Sequence, residues 1–228
     1  MGNNYSLTSE FDPVDYKKQF HVGDLVFFGG GKNPFSKVIT GIESCINGHK
    51  CIYSHVGIIT RKDCVKFVFP NNDPSDTLYV WHCGFLSGID ADTHQEEFGV
   101  QLQKLTDVIE EKYKSGHKMG WGILKNNPFI THPEKTRIIL RQLYSEYFHT
   151  SFDKDPAELV SSCIPCMWKC SSQNHSLFCS EFVAIIYQKL GLLDKKYSPS
   201  KILPMDFIYP ESSMERIDPV LDLIEELF

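Results

Sequence analysis

The chain has 228 residues, 42% hydrophobic and 23% charged, an ordinary globular balance that excludes a disordered, collagen-like or coiled-coil protein. Its length suits one substantial domain. Twenty-three basic against twenty-nine acidic residues leave a net charge of −6, without the positive footprint that generic nucleic-acid binding needs.

Residues 1–20 are polar and turn-rich and read as a flexible N-terminal segment, followed by one domain over 21–228. Val22–Phe28 is an apolar run too short for a helix and ends at Gly29-Gly30-Gly31, which predicts a strand entering a glycine loop. That loop lacks the spacing of a phosphate-binding motif. A short helical piece is expected around Phe35–Ile42, then a strand over Ser54–Thr60 closed by the charged turn Arg61-Lys62-Asp63. Val65–Phe69 and Leu78–His82, separated by the turn formers Asn71-Asn72-Asp73-Pro74, extend an antiparallel meander, to which Gly99–Leu105 adds a further strand. Glu110-Glu111-Lys112 reads as solvated charge, and Gly116–Gly122 has no assigned role.

The second half turns helical. Pro133 opens a segment in which Ile138, Ile139, Leu143 and Tyr147 largely follow helical spacing, and Ser180–Leu190 repeats the pattern and stops at Gly191, a C-terminal cap. Pro219–Phe228 reads as a last amphipathic turn or two of helix. Strands first and helices afterwards give the α+β class, an antiparallel meander or barrel packed against a late helix. No stretch reaches the roughly 18 apolar residues of a membrane span, and the N-terminus lacks the charged and apolar regions of a secretory signal. A cytoplasmic location is therefore expected, with most of the eight cysteines reduced.

Cys179 immediately precedes the helix Ser180–Leu190, where unpaired backbone N–H groups and the positive end of the helix dipole favour a thiolate. Of nine histidines, His55 and His82 are centred in predicted strands. Alternation places Tyr53, His55, Gly57 and Ile59 on one face of the first strand and Leu78, Val80 and His82 on one face of the other, so neighbouring strands bring the two imidazoles together. A thiol, a base and a group that orients the base are what acyl transfer through a thioester requires. Taken singly, each residue reads more readily as packing: a cysteine as a buried filler, a strand histidine as a satisfied core or surface group.

The ordered set Gly23-Asp24-Leu25-Val26-Phe27, Ser54-His55-Val56-Gly57-Ile58, Tyr79-Val80-Trp81-His82 and Phe178-Cys179-Ser180-Glu181-Phe182-Val183 resembles the circularly permuted, NlpC-type branch of the papain-like thiol enzymes. That branch includes YiiX-like proteins and the lecithin:retinol acyltransferase group. The likeness spans roughly residues 21–207 and includes Ser198–Phe207, similar to the family's serine- and proline-containing ending. It implies a permuted papain-like fold with Cys179 as nucleophile, His55 as general base and His82 as the orienting residue, without metal or organic cofactor. A glutamate is usual at the third position in YiiX-like members, so His82 moves the site toward the His-His-Cys set of the acyltransferase group. The implied substrates are peptide amides or lipid acyl esters, cleaved or transferred.

Two further signals stand apart. Cys163, Cys166 and Cys170, with His175 and Cys179 downstream, have ligand types that could hold zinc, which would make the chain a zinc-stabilised interaction module instead of an enzyme. A cysteine-rich loop over the active site accounts for the same spacing. Met1-Gly2-Asn3-Asn4-Tyr5-Ser6 fits the pattern for myristoylation of Gly2, and a single such chain gives only weak, reversible membrane association.

Overall fold

The computed structural model describes residues 20–30, 36–37, 39–41, 44, 50–66, 74, 76–148, 150–151, 177–211 and 217–227, the side chains at 85–87 and 223–225 excepted. Six strands form one antiparallel sheet: β1 (Leu25–Gly29), β2 (Tyr53–Thr60), β3 (Tyr79–Ile89), β4 (Glu96–Lys104), β5 (Lys118–Leu124) and β6 (Leu221–Glu226). Their order is β4-β3-β2-β1-β5-β6. Helices accompany them at α1 (Lys62–Val65), α2 (Leu105–Lys114), α3 (Pro128–Thr131), α4 (Pro133–Tyr147) and α5 (Cys179–Leu190), and residues 36–37, 39–41 and 44 are helical where a short helical piece is expected. The mixed class and the meander β1–β4 agree with the sequence reading. The barrel does not: among the described residues the sheet is open, with β4 and β6 at its edges.

Strand β1 is buried along its whole length because both faces of the sheet are covered. Leu25 and Phe27 join Val56, Ile58, Trp81, Leu140, Phe182 and Tyr187 in a large cluster under α4 and α5. Val26 and Phe28 point the other way, into a smaller cluster with Ile59, Val80, Met119, Trp121 and the α2 residues Leu105, Val108 and Ile109. Phe27, Trp81, Phe182 and Tyr187 are wholly buried, each contributing on the order of 2–3 kcal/mol of apolar burial.

Three local readings change. The residues after β2 make one helical turn, α1, which tucks Cys64 and Val65 against the core; residues 67–69 of the expected strand lie outside the described set. The tail is strand β6, not helix, because the free edge of β5 supplies it with a ladder from Gly120↔Glu226 to Leu124↔Leu221. In α4 the buried residues are Thr136, Leu140, Leu143 and Tyr144, and Ile138 faces solvent. The segments at 105–114 and 118–124, unassigned from sequence, are α2 and β5. Among the described residues, no helix is long and apolar enough to cross a membrane.

Asp24 locks β1 to its surroundings. Fully buried, its carboxylate accepts from Trp121 Nε1 at 3.0 Å, the Leu124 amide at 2.9 Å and the His21 amide at 3.0 Å. Beside it, the Tyr187 hydroxyl donates to the Gly23 carbonyl at 2.8 Å and ties the end of α5 to the start of β1. Burial nevertheless raises the Asp24 pKa, the three donors opposing it only in part. Asp24→Ala strands three buried donors, and at about 1–3 kcal/mol for each unsatisfied group the expected loss in urea unfolding is about 3 kcal/mol or more.

Candidate active site

Strand β2 carries the first residue of the site through an irregularity. Opposite β1, Phe28 pairs with His55 and Gly29 with Tyr53, so Ser54 is an extra residue, a β-bulge. The bulge reverses the alternation expected from sequence: Tyr53 turns toward Phe27 and the α5 side, whereas His55 turns toward Phe28, whose ring stacks on it at 5.9 Å. The Ser54 hydroxyl is paired with that of Ser36.

His82 reaches His55 from β3. Their side chains are joined by a 2.8 Å hydrogen bond between His55 Nε2 and His82 Nδ1, with the rings nearly perpendicular. His82 Nε2 lies 2.9 Å from Gln103 Oε1 of β4. An amide oxygen only accepts, so His82 carries its proton on Nε2, its Nδ1 accepts from His55 Nε2–H, and the lone pair of His55 resides on Nδ1. Close approach explains two glycines here. A Cβ on Gly57 would stand 2.6 Å from Val80 Cγ1 and 3.0 Å from His82 Cβ, and one on Gly88 would stand 1.7 Å from Gln103 Nε2.

Both imidazoles are held neutral. His82 is 7% exposed, and burial lowers its pKa to about 4 against the supporting bond from Gln103 and with a further push from Lys112. His55 is lowered well below the ordinary imidazole range by burial first, then by His82 and Lys112. Lys112, in the last turn of α2, meets Glu111 at 2.9 Å, and its charge disfavours protonation of both rings.

Cys179 is the first residue of α5, buried at 5% exposure in the large cluster. Its cluster is the one under α4 and α5, whereas Phe28, on which His55 stacks, belongs to the cluster under α2. Two ties hold α5 to the sheet. Cys83, next to His82, donates its thiol proton to the Leu177 carbonyl at 3.2 Å, two residues ahead of Cys179. At the other end, Tyr187 is bonded to Gly23, whose amide donates to Ile59. The β2–β3 ladder is confined to Ile58–Thr60 with Trp81–Tyr79 and stops short of both histidines.

Sequence reasoning missed Gln103, whose signal was a glutamine on the same strand face as Gln101, diagonal to His82 in the β3–β4 register. Cys51, Cys64, Cys83 and Cys179 are held as thiols and not as disulfides. Cys163, Cys166, Cys170 and His175, the Ser161–Asn174 cover and Gly2 lie outside the described residues. Among the described residues, no three acidic, histidine or cysteine side chains group to hold a metal. No protein-family model matches the chain, and no curated protein is significantly similar to it.

The row makes two expectations. Because the folded pKa of His82 is depressed from 6.5 to about 4, the unfolded chain binds more protons between those values, so stability is complete above pH 6.5 and falls as pH drops toward 4. At pH 4.5 this residue's share of the loss is about 2–3 kcal/mol, and His82→Gln should flatten that limb in denaturant titrations. Gln103→Leu removes the acceptor that fixes the tautomer; nitrogen NMR of the imidazoles should then show His82 exchanging between tautomers, with stability lowered by about 1–3 kcal/mol, while Gln103→Glu keeps the tautomer and raises the His82 pKa.

Proposed function

We propose that the chain is a thiol enzyme of permuted papain-like fold that cleaves or transfers an acyl group through a thioester on Cys179. The reading rests on the hydrogen-bonded row Gln103–His82–His55, which leaves a lone pair on His55 Nδ1 and orients it through the other ring nitrogen. That is the arrangement of a general base with its positioning partner. A cysteine at the first position of helix α5, at the positive end of its dipole, suits the nucleophile and the oxyanion that follows.

In the proposed reaction, His55 Nδ1 takes the Cys179 thiol proton as sulfur bonds to the carbonyl carbon of an amide or ester. The C–N or C–O bond then breaks, and the proton passes from His55 to the leaving amine or alcohol. Water or an acceptor alcohol, deprotonated by His55, attacks the thioester and releases the thiol. The depressed imidazole pKa favours proton transfer concerted with attack over a preformed thiolate–imidazolium pair, because the neutral state is the stable one in this surrounding. Substrates of this chemistry are peptides or lipid acyl esters, met in the cytoplasm.

Near neutral pH an acyl-directed electrophile should modify Cys179 well ahead of Cys51, Cys64 and Cys83, as read by intact mass and peptide mapping. Cys179→Ala should abolish turnover with the fold intact. His55→Ala should lose orders of magnitude in rate, and His82→Ala less, with His82→Glu restoring part of the loss. Uniform labelling of the cysteines, or a His55→Ala variant as reactive at Cys179 as the parent, would overturn the proposal.

A further inference from the structure

At the far end of β2 from His55, about 20 Å along the strand by its rise per residue, a cavity opens between the entry to β1 and helices α1, α3 and α4. It encloses about 220 Å³. Phe20, Leu78, Phe129 and Ile130 give it apolar walls, and Arg61 and Arg137 supply guanidinium groups. At about 30 Å³ per water-sized volume this holds roughly seven of them, room for a small organic molecule and too little for a drug-sized one.

Its charge is unusual for an acidic chain. Three arginines converge on the α1 turn: Arg61 Nε lies 3.4 Å from Asp63 Oδ1, Arg137 lies 3.4 Å from Asp63 Oδ2, and Arg141 donates to the Asp63 carbonyl at 2.7 Å. Glu134 takes a second Arg137 nitrogen at 2.6 Å. Two of the three, Arg61 and Arg137, line the cavity and are met by Asp63 and Glu134; Arg141 does not line it. Arg61 Nε is buried yet makes no hydrogen bond, its approach to Asp63 being too long and oblique. A buried, charged donor left unsatisfied is costly, and a planar carboxylate is the acceptor whose geometry fits a guanidinium fork.

We infer that this cavity binds a small monocarboxylic acid, its carboxylate on Arg61 and its apolar body between Phe20, Leu78 and Phe129. The Arg61 Nε–H without a hydrogen bond calls for one acceptor, and the apolar walls favour an aliphatic or aromatic body over a sugar or a free inorganic anion. The site is independent of the thiol chemistry proposed above, since it shares no residue with it.

Hexanoate is the probe, with hexan-1-ol and hexyl phosphate as comparators, followed by amide NMR shifts and calorimetry on the full chain. Hexanoate should saturate with shifts centred on residues 20–22, 61–64 and 129–137, hexan-1-ol should bind at least tenfold more weakly, and Arg61→Gln should weaken hexanoate by a similar factor. Ile130→Glu, at a side chain 67% exposed and therefore tolerated by the fold, sets a like charge at the mouth and should also weaken hexanoate. Absence of saturable hexanoate binding, hexan-1-ol binding as tightly, hexyl phosphate binding more tightly, or an Ile130→Glu variant that binds hexanoate unchanged would each overturn the inference.

Discussion

The hydrogen bond between His55 and His82 is the constraint around which this face of the sheet is arranged. Two imidazoles can share one proton-donating contact only if their tautomers agree, and agreement is imposed from outside by Gln103 Oε1. The reach from Gln103 to His82 is diagonal, because the β3–β4 register sets Gln103 opposite Val80 and Gln101 opposite His82. The space for that diagonal comes from Gly88, and the space for His82 to lean onto β2 comes from Gly57. Register, side-chain omission and tautomer are therefore one device.

A neutral third residue changes what the base can do. A carboxylate at the position of His82 would stabilise an imidazolium on His55, at the cost of burying a charge on a face whose other cover is the apolar side of α2. An imidazole avoids that cost but gives the imidazolium little support, and Lys112 works further against it. The result is an imidazole that stays unprotonated throughout the neutral range. In the reaction proposed above it would act while a bond to the carbonyl carbon is forming, when the developing charge is shared and never rests wholly on the ring.

The parts legible in the sequence were those with a strong local signal. Helix α5 shows its apolar spacing and its Gly191 stop, and β1 to β4 show β-branched and aromatic runs between turn formers. The parts that were not legible depend on partners distant in the chain. Lys118–Leu124 is a strand because it is clamped between β1 and β6, and its own two glycines mask the pattern; one of them, Gly120, lies under the Tyr53 ring, where a Cβ would stand 2.7 Å from the hydroxyl. Leu221–Glu226 has apolar positions that fit a helix as well as a strand, and only the open edge of β5 decides. Helix α2 lacks a capping side chain at Lys104, so nothing announced its start. In the site, the two histidines could be paired from their strand positions, whereas Gln103 and Lys112 could not, because neither register nor the direction of α2 is written locally.

The bulge at Ser54 shows how little separates the two sides of the sheet. Side chains alternate along a strand, so Tyr53 and His55 would share a face in a regular β2, and whichever face that was, one of them would be misplaced. Tyr53 belongs with Phe27 in the cluster under α5, and His55 belongs with Phe28 and His82 on the α2 side. One inserted residue satisfies both. It does so at the end of β2 where the ladder to β3 has already stopped, so the two strands are free to part there while the histidines bridge them. The bond from the Cys83 thiol to the Leu177 carbonyl holds the start of α5 to the strand that also carries His82.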